Sequence, residues 1–428
     1  MKRRWIEIGK DLLIVLLALA VLVLALLAVP TRTLASVPRL SAVLKPFAGF
    51  FGLSQAELTY TERAPAGLDA AQPLAISVRN SAGRYSAQYD FSTLDGLYEA
   101  LGSTLGQALE TASSAEETTL QKLYAAISGT GVTLSYPAAI PSGVLASWLG
   151  AQTQEMGQSA AMYVLSVQES GEVRLYLRGE ACWVCETGIS GESLLQLLDG
   201  YRPDGSFFAM EDGSGVYAGL DPCVLVGGQT PQVPEASAQN PCDARFITAL
   251  ASELGFNPYG DASYTDAEGN AFFSESDAKL RISADGTLLL SADADAARFT
   301  AAAEDAGSRI ELVRALLGQI NAQLSTEARL YLSDFTQTED GAQCAFDYVL
   351  SGASVLQKDG EHAVTARFSG STLTELRMRL RSYSTQTQIV SLIPAAQAAA
   401  IVSQGSRLQV CYQDAADGAL SAGWRRDS

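Results

Sequence analysis

The six cysteines are the residues whose chemistry stands out first. Two of them form the spacing Cys182-Trp-Val-Cys185, which is typical of zinc and redox sites, but no second C-x-x-C follows. A strand predicted over these residues places the two side chains on opposite faces, because side chains alternate along a strand. We therefore interpret the cysteines as small buried hydrophobic residues, with a Cys223 to Cys242 disulfide as an alternative. The sequence leaves the disulfide state open for Cys182, Cys185, Cys223, Cys242, Cys344 and Cys411.

The single histidine, His362, limits the catalytic chemistry of the chain. A metal site or an acid–base pair needs converging His, Cys or carboxylate side chains, and His362 lies in an alternating strand pattern with hydrophobic neighbours. Ser276-Asp-Ala-Lys279 matches the Ser-x-x-Lys spacing of penicillin-binding proteins, but the partner motifs are missing and the residues lie between strands. We therefore predict no enzyme, no catalytic residue, no metal and no cofactor. A hydrolase that uses Ser276 and Lys279 is the weakest alternative.

The N-terminus has the pattern of a membrane anchor. Basic residues at positions 2–4 and 10 precede an uninterrupted apolar run from Leu12 to Val29. At ~1.5 Å per residue a helix over this run spans about 27 Å, close to the hydrocarbon thickness of a bilayer. The positive-inside rule leaves the N-terminus in the cytoplasm. We expect a single-pass protein of the cell membrane with an extracytoplasmic bulk. A cleaved signal peptide is the alternative, although this run is longer than a usual signal h-region.

One face of the predicted anchor carries mostly small residues at a seven-residue period. Small residues let helices approach closely in lipid, where van der Waals packing drives helix association. We predict that this stripe binds another membrane helix. The stripe consists of Asp11, Ile14, Ala18, Val21, Ala25 and Ala28.

The charge balance excludes one large class of partner. The chain has 47 acidic and 29 basic side chains, which gives a net charge of -18. Nucleic-acid binding needs a surface that neutralises phosphates, and no Lys/Arg-rich face with interleaved aromatic residues follows residue 50. We therefore predict no nucleic-acid partner. A hydrophobic fraction of 47% with 18% charged residues is typical of a folded protein.

Hydrophobic periodicity predicts a first folded domain over residues 73–226, after an anchor at 1–30 and a juxtamembrane stalk at 31–72. Alternation on both sides of Ser81-Ala-Gly83 predicts a hairpin. A helix capped by Ser92 follows, with one stripe of leucines for burial. The leucines of this stripe are Leu94, Leu97, Leu101, Leu105 and Leu109. The later elements predict a mixed α/β arrangement, and the Pro-punctuated segment 227–241 predicts a linker.

Beyond the linker, the order helix, strand, strand, strand occurs twice, in a central unit at 242–305 and in a C-terminal unit at 306–428. Asp285-Gly286 between alternating runs is a strong hairpin signal. The expected fold class is therefore α+β. It comprises a single transmembrane helix, a mixed α/β domain, and two α-β-β-β units with antiparallel sheets.

Several segments together resemble a known family. They are Gly255-Phe-Asn-Pro258, Tyr264-Thr-Asp-Ala-Glu-Gly269, Leu280-Arg-Ile-Ser-Ala-Asp-Gly-Thr-Leu288, Phe346-Asp-Tyr-Val-Leu-Ser-Gly352, His362-Ala-Val364, Arg381-Ser-Tyr383, Leu408-Gln-Val-Cys-Tyr412 and Ala422-Gly-Trp-Arg425. With the N-terminal anchor, the chain resembles the YycH/YycI family of membrane-anchored accessory regulators of WalK-type sensor histidine kinases in Gram-positive bacteria. The resemblance implies an extracytoplasmic regulator without an active site. Its partners would be a sensor histidine kinase and a YycI-like protein.

Two further hypotheses about function follow from these patterns. The leading one is a non-enzymatic, membrane-anchored regulator of a two-component kinase that controls cell-envelope homeostasis through transmembrane and domain contacts. The alternative is an extracytoplasmic ligand-binding or cell-wall-associated protein with a pocket between its two halves, beside the 227–241 segment.

Overall fold

Residues 72–151, 157–358, 360–401, 404–415 and 418–427 are described by the structure, a computed structural model. They belong to a unit that begins at residue 64. Their fold is α+β, with seven α-helices and mostly antiparallel strands. The domain limits predicted within this unit stay predictions.

The first half of the described chain forms a seven-stranded, fully antiparallel sheet with the order β2-β1-β4-β5-β6-β7-β3. The strands are β1 Ala75–Asn80, β2 Gly83–Gln88, β3 Glu116–Thr118, β4 Gly131–Pro141, β5 Ser159–Val167, β6 Glu172–Arg178 and β7 Cys182–Ser190. The predicted hairpin at Ser81-Ala-Gly83 is confirmed as the β1–β2 connection.

Four helices accompany this sheet. They are α1 Phe91–Thr111, α2 Leu120–Ser128, α3 Ser142–Trp148 and α4 Gly191–Leu198. All five leucines of the predicted α1 stripe are buried, which confirms the stripe. The predicted cap was wrong, because Asp90 rather than Ser92 accepts the first backbone N–H groups of α1. A carboxylate two residues earlier starts the helix sooner than the hydrophobic period alone suggested.

The second half forms a thirteen-stranded sheet with the order β11-β12-β13-β14-β19-β18-β16-β17-β21-β22-β10-β20, and β15 pairs with β16 beside this path. Its strands are β10 Val233–Gln239, β11 Tyr264–Thr265, β12 Ala271–Ser274, β13 Ala278–Ile282, β14 Thr287–Ala292, β15 Arg329–Thr338, β16 Gly341–Leu350, β17 Ala353–Leu356, β18 Val364–Ser369, β19 Thr372–Arg379, β20 Ser382–Val390, β21 Arg407–Asp414 and β22 Ala419–Asp427. The only parallel pair among these described strands is β17 with β21. The remaining elements are α5 Ala244–Glu253, α6 Ala306–Gln323, α7 Ala395–Ala399 and the small β8–β9 sheet of Phe207–Phe208 and Leu225–Val226.

The prediction of two separate α-β-β-β units was wrong, because their strands join one sheet. Thr287–Ser291 of β14 pairs with Glu375–Arg379 of β19, which links the two sets of strands. Joining them removes two open sheet edges, which would otherwise leave backbone groups unpaired. Residues Val233–Gln239 of the segment predicted as a linker form β10, between β22 and β20. The first half, predicted as a mixed α/β arrangement, contains a fully antiparallel sheet.

The helices of the structure require a correction to the predicted fold class and localisation, which included a single transmembrane helix. Within the ranges that the structure describes, no helix has both the length and the apolar character needed to cross a bilayer. The apolar run from Leu12 to Val29 lies outside these ranges.

The two sheets meet where β15 of the second sheet packs against α1, and we call this place the junction. The guanidinium of Arg329 on β15 donates two hydrogen bonds of 2.7 Å to the carboxylate of Asp95 on α1. The same guanidinium lies 4.0 Å above the centre of the Phe91 ring. Hydrophobic residues of both sheets form one continuous core. The junction therefore holds the two sheets in a defined arrangement around the cleft that separates them further along.

Candidate functional site

A cleft of about 580 Å³ lies between the two sheets, and we call it the intersheet cleft. The first sheet contributes parts of β1, β4 and the β6–β7 turn, and the second contributes parts of β15, β16, β17 and β21. Five residues mark its walls: Tyr89, Arg178, Asp221, His362 and Arg407. The volume falls within the ~300–1,000 Å³ that small-molecule pockets occupy. The cleft thus meets the size requirement for a ligand site.

Strand β4 bulges where it lines the cleft. Ser135 lies opposite Met162 of β5, whereas Ile140 lies opposite Ala160. Four residues, Tyr136–Ala139, therefore face a single residue of β5, and the pairing of β4 with β1 ends at Ser135. Pro137 is the local reason, because proline lacks the N–H that a ladder requires. The bulge takes these backbone groups out of the sheet register at the cleft wall.

An ion pair forms one polar wall of the cleft. The Arg178 guanidinium donates to both carboxylate oxygens of Asp221, at 2.8 and 2.5 Å. Burial raises the pKa of Asp221, but the hydrogen bonds from Arg178 and from the Cys223 N–H outweigh it, so this pKa lies below its ordinary value. The hydrogen bond to Asp221 also raises the pKa of Arg178 above its ordinary value. Both groups are therefore charged at neutral pH and fix the loop before β9 against the end of β6.

The lone histidine stands on the opposite wall. The Nδ1 atom of His362 lies 2.8 Å from Oδ2 of Asp347 and 3.2 Å from Oγ of Ser333. The hydrogen bond to Asp347 raises the pKa of His362 above its ordinary value. The other oxygen of Asp347 accepts the Ala363 N–H at 2.8 Å. Asp347 thus anchors both the ring and the segment that leads into β18.

Ser333, His362 and Asp347 are the residue types of a catalytic triad, but their geometry is not that of a triad. In a Ser-His-Asp triad the serine and the carboxylate bind different ring nitrogens, so that one nitrogen accepts the serine proton. Here Ser333 and Asp347 both contact Nδ1 of His362. The arrangement therefore orients the imidazole and does not activate Ser333.

Tyr89 connects the two sheets along the cleft. Its hydroxyl accepts the Val410 N–H of β21 at 3.1 Å, and burial raises the pKa of this hydroxyl to about 12. Its backbone has a left-handed φ of 60°. Gly352, in the β16–β17 turn, packs directly on it, since a Cβ added there would lie 2.9 Å from the Tyr89 Cα. The chain after β2 and the turn before β17 are thus in backbone contact.

The residues singled out from sequence are placed as follows. None of the six cysteines, all within the described ranges, forms a disulfide, and Cys182 and Cys185 belong to hydrophobic clusters on opposite faces of the first sheet, as predicted. Burial raises the pKa of Cys223 to about 12. Ser276 lies in the β12–β13 turn and Lys279 lies in β13, and neither residue lines the cleft. The membrane stripe lies outside the described residues and stays a prediction; it consists of Asp11, Ile14, Ala18, Val21, Ala25 and Ala28.

Apart from His362, sequence analysis missed the charged groups that line the cleft. Arg178 and Asp221 are 43 residues apart, with β7, α4 and β8 between them, so no local spacing connects them. The bulge had a usable signal, because Tyr136-Pro-Ala-Ala-Ile-Pro141 carries two prolines, which cannot donate to a ladder. In the part of the chain that the structure describes, no group of His, Cys, Asp and Glu side chains has the arrangement of a metal site.

Comparison with known proteins gives no family assignment: no family model, no curated protein and no solved structure matches the chain. The resemblance to the YycH/YycI regulators, the regulation of a sensor kinase and the partners that it implies therefore stay predictions.

Proposed function

We propose that the protein is a non-enzymatic binding protein whose intersheet cleft takes a short extended peptide. The observation that carries this proposal is the β4 bulge, which presents backbone out of register to a cleft of about 580 Å³. Backbone N–H and C=O groups that leave a ladder need partners, and an added extended chain supplies them.

The rest of the cleft supports a peptide over a strongly charged ligand. Part of its charge is engaged in two internal pairs, Arg178 with Asp221 and His362 with Asp347. The lining also contains apolar side chains such as Met162 and several alanine, glycine and serine residues. Pockets with apolar walls and few fixed polar groups orient a ligand by those groups and bind it through apolar contact.

The test is a thermal-unfolding screen of the full chain against a library of short peptides. A peptide at about a hundred times its Kd stabilises the folded state by ~2.7 kcal/mol, which raises the unfolding midpoint by several degrees. Ala139 is exposed at the cleft wall, so Ala139→Trp fills the cleft without disturbing the core. Ala82 in the β1–β2 turn is equally exposed and lies outside the lining, which makes Ala82→Trp the matched control.

We expect a peptide that stabilises the parent chain and the Ala82→Trp variant but not Ala139→Trp. Equal stabilisation of all three chains would place the peptide elsewhere, and a library without any stabilising peptide would refute the proposal.

A further inference from the structure

The second sheet divides at β16 and leaves a small cavity, which we call the fork cavity. On one side of β16, residues Gly341–Phe346 pair with β18, whereas Val349 and Leu350 pair with β17. The cavity has a volume of about 90 Å³ and does not coincide with the intersheet cleft, although Gln357, Glu361 and His362 border both. At ~30 Å³ per water molecule it has room for about three waters or one small organic molecule.

Several basic side chains line the fork cavity in a chain that is strongly negative overall. Arg377 and Arg379 share one face of β19, because alternate residues of a strand share a face, and Arg381 lies just beyond the end of this strand. Among the described residues, the charged lining comprises Lys358, Arg377, Arg379, Arg381, Glu361 and Asp414. Each of the three arginines pairs with a carboxylate, Arg377 with Glu361, Arg379 with Asp285 and Arg381 with Asp414, so net charge alone does not select the ligand.

Two buried groups in this lining have unused hydrogen-bonding capacity. Among the described residues, the one hydrogen bond of the Arg381 side chain runs from Nε to Oδ2 of Asp414, at 3.3 Å. That oxygen also accepts the Tyr383 hydroxyl at 3.1 Å. Oδ1 of Asp414 is buried and has no hydrogen-bond partner in the described part of the chain. Arg381 is 9% exposed and Asp414 is 4% exposed, so both residues are largely buried where they line the cavity.

The cavity therefore offers an acceptor and donors side by side. A guanidinium has five N–H donors and binds carboxylates through its terminal nitrogens, and an ionised carboxylate accepts only. A simple anion would pair with Arg381 and leave Oδ1 of Asp414 without a donor. A simple cation would pair with Asp414 and face three arginines. A zwitterion satisfies both groups.

We propose that the fork cavity binds a free α-amino acid of the smallest size. Its carboxylate pairs with the terminal nitrogens of Arg381, and its ammonium group donates to Oδ1 of Asp414. Arg379 and Lys358 also line the cavity and add positive charge near the ligand. This proposal does not rest on peptide binding in the intersheet cleft, since it uses different polar groups and a ligand with both charges on one α-carbon.

Isothermal titration calorimetry of the full chain tests the proposal with six separate ligands. Glycine, alanine and serine present the zwitterion. Acetate presents only the anion and methylammonium only the cation, and Gly-Gly places a peptide unit between the two charges. We expect saturable binding of at least one amino acid and at least tenfold weaker binding of the other three ligands. No saturable amino-acid binding, or acetate binding as tightly, would overturn the proposal.

Variants locate the binding in the fork cavity. Asp414→Asn keeps the shape of the side chain but removes its charge, and we expect at least a tenfold loss of affinity. Because this pair is buried, the variant can fail to fold, so Arg379→Gln provides a second test at a side chain that is one-third exposed. Its matched control is Arg367→Gln, an exposed arginine on the neighbouring strand with a similar surface ion pair. We expect Arg379→Gln to weaken amino-acid binding severalfold more than Arg367→Gln; equal effects would contradict the assignment.

Discussion

Gly352→Ala tests the backbone contact that joins the two sheets. Gly352 has a φ of +80°, and a Cβ there would lie 2.9 Å from the Tyr89 Cα and 3.0 Å from the Asp90 nitrogen. The left-handed conformation costs an alanine about 1–2 kcal/mol. The clash adds about 1–3 kcal/mol, because its partners are backbone atoms that cannot rotate away. We expect the free energy of unfolding to fall by about 3 kcal/mol.

Gly171→Ala is the matched control for this change. Gly171, in the β5–β6 turn, has a φ of +84°, and an added Cβ would meet no atom within 4 Å. This variant therefore carries only the conformational penalty of about 1–2 kcal/mol. Urea unfolding of both variants and the parent chain, followed by circular dichroism, gives the difference between them. If the two variants lose the same stability, the two sheets are not in contact at Gly352, and the arrangement of the intersheet cleft would be wrong.

Three further measurements examine single side chains. The hydrogen bond to Asp347 raises the pKa of His362, so the folded state binds the imidazole proton more tightly than the unfolded state does. Protonated His362 therefore stabilises the folded state. This contribution to the free energy of unfolding is complete below the ordinary pKa of ~6.5 and is lost as the pH rises through the higher pKa of the folded state. We expect the one imidazole resonance in the proton NMR spectrum to titrate above pH 6.5, and a midpoint at or below 6.5 would contradict the contact. Cys242 is half-buried, and this burial raises its pKa to about 11, so we expect this thiol to react with a disulfide reagent at pH 7.5 at least tenfold more slowly than in urea; equal rates would contradict its partial burial. Arg329→Gln removes the bidentate pair with Asp95, and we expect it to lower the free energy of unfolding by ~1 kcal/mol in urea titrations. The control variant Arg367→Gln, at an exposed arginine, should change this free energy by less than about 0.5 kcal/mol. Equal changes would show that the pair of Arg329 with Asp95 contributes nothing.

Local signals in the sequence located most elements of the fold correctly. The period of the leucines from Leu94 to Leu109 describes one face of a helix, and this face is buried whatever surrounds it. Asp285-Gly286 forms the β13–β14 turn with Gly286 at a φ of +89°, a conformation that glycine adopts without strain. Such features depend only on residues close in sequence, which is why pattern analysis finds them.

The features that failed depend on partners far along the chain. Val233–Gln239 contains proline, alanine, serine and glutamine and has no strong strand signal, yet it forms β10 because β20 and β22 provide partners on both sides. The polar pairs of the cleft are equally nonlocal, as His362 and Asp347 meet only through the fork at β16. A single sequence holds no record of such pairings, so the candidate site had to come from the structure.

The position of β10 determines when this protein can finish folding during its synthesis. Ser237 of β10 pairs with Ala419 of β22, about 180 residues later in the chain. Ribosomes add ~5–20 residues per second, so β10 waits about 10–35 s for this neighbour. During that interval its backbone is an open edge that can pair with other nascent chains. The last few strands to leave the ribosome therefore complete the sheet, and a chain that ends before residue 419 would retain this edge.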